Sequence, residues 1–171
     1  LKQHEIHSVK KLQYFDPATN ESYVPYVTET SVGLDRLFLS VLTAAYKEEK
    51  LEDGSERTVL TIPAALAPYK IAVLPLVKKD GLPEKAQEIV RMLQLDFTTQ
   101  YDEKDSIGKR YRRQDAIGTP FAITVDHESL ENNTVTIRNR DTMSQDRIAI
   151  DTLPAFLNTH CSWSALLFPL I

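Results

Sequence analysis

The sequence predicts an α/β fold: a mixed, mostly parallel five-stranded sheet flanked by helices, with a strand–helix segment ahead of it. Three observations carry this reading. The runs "YKIAVLPLV" (residues 69–77) and "TPFAITVD" (residues 119–126) are continuous apolar stretches rich in β-branched residues, as in strands buried on both faces. Segments of helical period separate them, with a short strand candidate, "TTQY", in between. Two alternating runs, "TVTIRNRDT" and "MSQDRIAI", then close the block as a hairpin turning at "NRDTMSQ". Strands alternating with helices in this way imply two parallel crossovers followed by the hairpin.

The elements can be justified in order. Residues 1–27 alternate polar and aromatic side chains, and "DPATN" is a turn signal between two strand-like runs. Pro25 suits a strand edge or start, because it cannot donate to a ladder. Residues 33–48 read as a helix: Leu34, Leu37, Phe38, Val41, Leu42 and Ala45 fall on one helical face. Gly33 precedes it, and Asp35 sits in its first turn, where a negative charge suits the helix dipole. "KEEKLEDGSE" reads as a charged, solvated stretch. Pro63 and Pro68 suggest an extended linker, with a domain boundary near residues 62–68.

After the first buried strand, "KKDG" is a loop and Pro83 takes a first-turn position of a helix whose apolar face is Ala86, Ile89, Val90, Leu93 and Phe97. "DSIGKRYRRQDAIG" reads as a helix capped by Asp105 or Ser106 and ended by Gly118. "HESLENN" reads as a loop, and "DTLPAFLNTH" as a short helix capped by Asp151 or Thr152. The expected organisation is residues 1–62, then an α/β domain over 63–160, then a tail over 161–171.

Composition narrows the function classes. At 171 residues, 42% hydrophobic and 26% charged, the chain has the make-up of a globular protein with room for a core. A net charge of −4 excludes a globally basic nucleic-acid binder, though not a locally basic surface. The single cysteine, Cys161, cannot form an internal disulfide and reads as an inert, half-buried thiol in a cytoplasmic protein. The first residues carry charge and no apolar run, and the apolar end "WSALLFPLI" is too short to span a bilayer, so neither a leader nor a membrane span is expected. The chain starts at Leu1 in what reads as mid-domain sequence, and is expected to be part of a longer protein.

Few motifs carry chemistry by themselves. His4, His7, His127, His160 and Cys161 lack the spacing of a zinc site, so no metal is expected; His4 and His7 read as a polar surface pair. There is no glycine-rich phosphate loop and no evident Ser/His/Asp set. Asp102, Glu103 and Asp105 read as a solvated turn. One cluster stands out: "GKRYRRQ" places Lys109, Arg110, Arg112 and Arg113 within five positions, with Tyr111 among them. Two readings stay open for it. It is a solvated helix paired with Asp102, Glu103, Asp105 and Asp115, or a phosphate-contacting patch with an aromatic alongside.

Two stretches weigh on that choice. "YVPYVTETSVGLDRLFLSVL" closely resembles motif 3 of class II aminoacyl-tRNA synthetases, in the form carried by glycyl-tRNA synthetases of the dimeric type. "ALAPYKIAVLPLVKKDGLPEKA", "YDEKDSIGKRYRRQDAIGTPFAITVDH" and "NTVTIRNRDTMSQDR" resemble the anticodon-binding domain of the same enzymes. The resemblance covers roughly residues 14–157. It implies that the first part of the chain is a remnant of the antiparallel class II catalytic domain, and that the tail lies beyond the family pattern.

It also implies roles. Arg36 would be the catalytic arginine on the ATP phosphates, a task suited to a planar, permanently charged fork. Glu29, Thr30, Ser31, Val32 and Gly33 would line the glycine site, with Glu29 facing the substrate ammonium. Gly33, Leu34, Asp35 and Arg36 would border ATP, which binds with Mg2+ in the full-length enzyme. Lys78, Lys79, Lys109, Arg110, Arg112 and Arg113 would meet tRNA(Gly). Whole enzymes of this kind are homodimers that adenylate glycine and pass it to the tRNA 3′ end. Motifs 1 and 2 would lie upstream of Leu1, so this chain by itself is expected neither to activate glycine nor to charge tRNA. Two other readings are a non-catalytic synthetase-like module that binds nucleic acid or protein, and a small-molecule α/β domain unrelated to tRNA.

Overall fold

The computed structural model describes residues 1–51 and 54–167. Chain contacts divide it into two compact units, Leu1–Leu37 and Phe38–Ile171.

The first unit begins with helix α1 (Lys2–Ser8), absent from the sequence reading, which ends on Val9 in the left-handed region. The expected hairpin follows as β1 (Tyr14–Asp16) and β2 (Glu21–Tyr23), antiparallel with Asp16 opposite Glu21. Its turn is built by Asp16, whose carboxylate accepts from the Ala18 N–H at 3.0 Å and the Thr19 hydroxyl at 3.1 Å. Residues 24–33 have no regular structure. Helix α2 (Leu34–Ala45) then starts as the apolar periodicity requires and continues into the second unit.

The second unit departs first from the sequence reading where charge is densest. The run that reads as solvated forms strand β3 (Tyr46–Lys50), paired antiparallel with β4 (Glu56–Leu60). Strand β4 alternates: Arg57 and Val59 are buried, Glu56 and Thr58 exposed. Helix α2 stops at Ala45 because its last carbonyl is taken by Thr61, whose N–H donates at 2.7 Å and whose hydroxyl donates at 2.9 Å. The proline-rich stretch is not fully extended. A short 3₁₀ turn (Ala64–Leu66) lies between buried Ile62 and Ala67, and the Lys70 ammonium donates to the carbonyls of Ala64, Ala65 and Ala67.

The central layer is the predicted sheet. Its strands are β5 (Ile71–Pro75), β6 (Thr99–Tyr101), β7 (Phe121–Val125), β8 (Thr134–Asn139) and β9 (Gln145–Ala149), in the order β6-β5-β7-β8-β9. β6 and β7 pair parallel with β5, and β8 and β9 add antiparallel. Every residue of β5 and β7 is buried, as their continuous apolar runs predict.

Four helices complete the unit: α3 (Leu82–Leu93), α4 (Ile107–Ile117), α5 (His127–Asn132) and α6 (Leu153–Cys161), followed by the short α7 (Trp163–Leu167). Helix α3 packs Leu82, Ala86, Ile89 and Leu93 in one cluster with Ile71, Val73, Ile123 and Leu157. Helix α4 packs Ile107 and Tyr111 against Ala72, Leu74 and Ala122 on the other face. Helix α5 replaces an expected loop, and its cause is legible: Asp126 and Ser129 form a reciprocal capping box. The expected caps of α4 and α6 are positional only. Ser106 and Thr152 occupy the N-cap sites without side-chain capping bonds. Of the tail, α7 is described and residues 168–171 lie outside the described residues.

Gly118 ends α4 as expected, at φ 84°, with its N–H turned back to the α4 carbonyls. A methyl group here would meet Ile62 Cγ1 at 2.9 Å and the Leu60 carbonyl oxygen at 3.0 Å. Gly118→Ala therefore combines the left-handed penalty of about 1–2 kcal/mol with a clash. Urea denaturation should show a loss of at least that size, with an unchanged slope against denaturant.

Candidate nucleic-acid interface

The topology brings two loops to one end of the sheet, and the space between them is a candidate crevice. β5 and β6 are parallel neighbours, but the chain leaves β5 toward α3 on one face and leaves β6 toward α4 on the other. Open α/β sheets take their ligands outside the carboxyl ends of their strands, and both loops emerge there. The candidate crevice is bordered by residues 76–81 after β5 and 102–106 after β6.

The six cations expected to meet RNA fall into different environments. Lys78 and Lys79 are exposed on the loop after β5, and Lys109 is exposed in the first turn of α4. Lys104, unremarked in the sequence reading, is exposed on the loop after β6. These four ammonium groups come from the loops and helix start that border the crevice.

Arg110 is a correction: it is 2% exposed. Its guanidinium donates to the carbonyls of Pro75 and Leu76, where β5 ends. Arg113 is half-buried and tied inward, to Asp102 at 2.7 Å and Asp105 at 2.9 Å. It also donates to the Lys104 carbonyl, so it ties together the loop after β6. Arg112 donates to the Ser55 hydroxyl, at the β3–β4 turn, at 3.3 Å. The basic run is therefore no single patch. A helix spreads four such positions around its circumference, and three of them point toward different internal partners.

The acidic turn takes part in this. Burial works to raise the Asp102 carboxyl, but the Lys104 N–H and the Arg113 guanidinium outweigh it and hold the group below its ordinary range. Burial, and then the Glu103 carboxylate that accepts its proton, raise the Tyr101 phenol. At the same end of the sheet Asp126 bonds Arg147 at 2.7 Å. Asp102 and Glu103 are thus engaged within the chain, Asp102 by Arg113 and the Lys104 N–H and Glu103 by the Tyr101 hydroxyl.

The residues expected around glycine and ATP lie in the first unit. Glu29, Thr30, Ser31, Val32, Gly33, Leu34, Asp35 and Arg36 are all exposed, on the irregular segment and the first turn of α2. A Cβ built on Gly33 would lie 3.8 Å from the Arg36 Cγ and Cδ, an ordinary van der Waals contact, so the space there does not by itself require glycine. Cys161 is buried, which pushes its thiol up to about 11 and leaves it unreactive at neutral pH. Among the described residues no group of three or more His, Cys, Asp or Glu could hold a metal ion, and no helix is long and apolar enough to cross a membrane.

A sequence model of the anticodon binding domain matches residues 70–160, the span of the sheet and its helices. The chain belongs to this family. The anticodon-binding domain is accompanied by similarity over most of the chain. The glycine–tRNA ligase of Clostridium tetani is 54% identical over 158 residues, covering 92% of this chain and 34% of that protein. That of Ruminiclostridium cellulolyticum is 57% identical over 156 residues, covering 91% and 33%. That of Chlorobaculum tepidum is 52% identical over 159 residues, covering 93% and 34%. The chain thus spans about a third of the length of the curated relatives it matches. The RNA binding domain of threonyl-tRNA synthetase from Cryptosporidium parvum Iowa II shares the fold, with TM-score 0.54 and 22% identity over 58% of this chain and 25% of that one. Neither non-ligase reading of the sequence is favoured by these likenesses.

The Asp126–Arg147 pair sets an acid limit. The Arg147 guanidinium lowers the Asp126 carboxyl from 3.8 to about 2. A depressed folded-state value stabilises above the unfolded value and is lost as pH falls through the folded one. Stability should therefore decline between about pH 4 and pH 2 through this group. In Asp126→Asn, denaturation midpoints measured across that window should fall less steeply than in the wild type.

Proposed function

We propose that the chain is part of a glycine–tRNA ligase, in which its anticodon-binding domain holds tRNA(Gly) while the first unit contributes one wall of the glycine- and ATP-binding site. The observation that carries the reading is the match of the anticodon binding domain to residues 70–160, on a sheet whose carboxyl-end loops and helix start carry the exposed Lys78, Lys79, Lys104 and Lys109. Ammonium groups suit RNA phosphates as mobile point charges. Arg113 acts through the loop it holds, and Arg110 supports the end of β5.

In the whole protein, glycine carboxylate oxygen would attack the ATP α-phosphorus, releasing pyrophosphate and forming glycyl-adenylate. The tRNA 3′-terminal hydroxyl would then displace AMP. Arg36 is suited to neutralise phosphate charge, and Glu29 to receive the glycine ammonium, with Ser31 as a hydroxyl partner. Thr30, Val32, Gly33, Leu34 and Asp35 would shape the surrounding wall. Mg2+ would accompany ATP, although this chain brings no cluster of ligands for it among the described residues, and no step is assigned to the ion. The full-length protein would work as a cytoplasmic homodimer.

Filter binding with a tRNA(Gly) transcript tests the reading on this chain. Lys78→Glu, Lys79→Glu and Lys109→Glu should each weaken binding. Each should also flatten the slope of log K against log salt by about 0.7–0.9 for every phosphate that the variant no longer neutralises. Equal binding by all three variants would remove the crevice from the hypothesis. ATP–pyrophosphate exchange by the isolated chain should show no turnover, because most of the catalytic machinery would lie in the rest of the protein.

A further inference from the structure

The second unit contains an ionic assembly that the RNA reading does not use. Asp115, on the side of α4 away from the crevice loops, is 1% exposed. Arg138 of β8 grips it with a two-pronged fork, at 2.8 Å to Oδ1 and 3.1 Å to Oδ2. Arg57 of β4 shares Oδ2 at 3.1 Å. Two guanidiniums on one carboxylate leave an excess of positive charge, and Glu49 of β3 offsets it by accepting from Arg57 at 2.7 and 2.8 Å. Arg57 donates further to the Arg140 carbonyl at 3.0 Å. Arg140, itself buried, donates to the carbonyls of Ile62 at 3.0 Å and Gly118 at 2.8 Å.

The partners come from four segments of chain: Glu49 of β3, Arg57 of β4 with Ile62 just after it, Asp115 of α4 with Gly118 just after it, and Arg138 of β8 with Arg140 just after it. An apolar cluster of similar volume would stabilise the fold as well or better, since desolvating charges offsets most of their attraction. What charges add is intolerance of slippage: a small displacement of any one segment strands a buried charge. We propose that Asp115 is the pin of an internal joint that makes α4, the β3–β4 hairpin and the end of β8 move as one body. The hairpin in turn holds the last carbonyl of α2 through both donors of Thr61. A displacement of α4 is therefore carried to the C-terminal end of α2. The same helix bears Lys109 and Arg113, so RNA in the crevice would be felt at α2; this consequence rests on the reading of the crevice as an RNA surface.

Hydrogen exchange on the full 171-residue chain decides the matter. Arg57→Met is the cleaner variant, because the Arg138–Asp115 fork stays satisfied and the sheet can fold; Asp115→Asn is the second. Without RNA, both should speed exchange of the β3 and β4 amides by about tenfold or more, while β5 and β7 keep their rates. Unchanged hairpin rates in Arg57→Met would overturn the joint. Equal acceleration in β5 and β7 would do so as well, since the pair would then only contribute to global stability. With excess tRNA(Gly) transcript, wild type should slow at residues 76–81 and 102–109 and also in the hairpin, and Arg57→Met only at the former. Slowing at the crevice alone in wild type overturns the joint. No slowing at the crevice overturns the RNA reading, while the RNA-free comparison still decides the joint.

Discussion

Two parallel strands side by side, each buried on both faces, impose most of this architecture. β5 and β7 cannot be joined by a tight turn, and their side chains need cover above and below. The chain meets both demands by sending α3 over one face and α4 over the other, with β6 placed between the two crossovers. The crevice is a by-product of that solution. Because the two crossovers lie on opposite faces, the loops after β5 and β6 come together at one end of the sheet, outside the core. The cations at the crevice border need no charge excess in the protein as a whole, which is why a net charge of −4 is compatible with an RNA surface.

The parts of the fold that were legible in the sequence are those fixed by local pattern. The runs at 69–77 and 119–126 read as buried strands because nothing polar interrupts them, and Gly118 reads as a helix end because few residues tolerate its backbone. Strand β3 was not legible. "YKEEK" has no alternation in its own side chains, and it is a strand only because β4 lies alongside and Glu49 has Arg57 to meet. Residues 24–33 show the converse: a strand-like composition makes no ladder without a neighbour. The loop reading of α5 missed a signal that was present, since Asp126 and Ser129 stand three apart before a short polar helix.

Charge is where sequence and site diverge most. In "GKRYRRQ" the four cations are equivalent by composition, yet Lys109 faces water, Arg112 and Arg113 hold loops, and Arg110 is sealed under the end of β5. Helical geometry spreads consecutive residues around the axis, so adjacency in sequence argues against a shared surface. The two side-chain types also divide the labour. A guanidinium can satisfy several fixed carbonyls or carboxylates at once, and arginines fill the internal positions. An ammonium on a flexible stem suits an RNA backbone whose phosphates are not held in one geometry.

The same chemistry explains why the proline-bearing stretch expected as an extended linker near residues 62–68 is anchored where it begins. A linker is a segment whose backbone groups face water and whose neighbours are indifferent to its position. Here the Ile62 carbonyl accepts from Arg140, the Arg57 guanidinium lies in a buried ionic set with Asp115, and Thr61 closes the end of α2. Each of these groups would carry an unpaired polar atom if the segment moved alone. Pro63 and Pro68 follow those anchors and stiffen the path on toward β5, because a fixed φ removes alternatives from the unfolded chain as well. The connection is thus held in position by buried charges, where apolar packing alone would tolerate a shift of register.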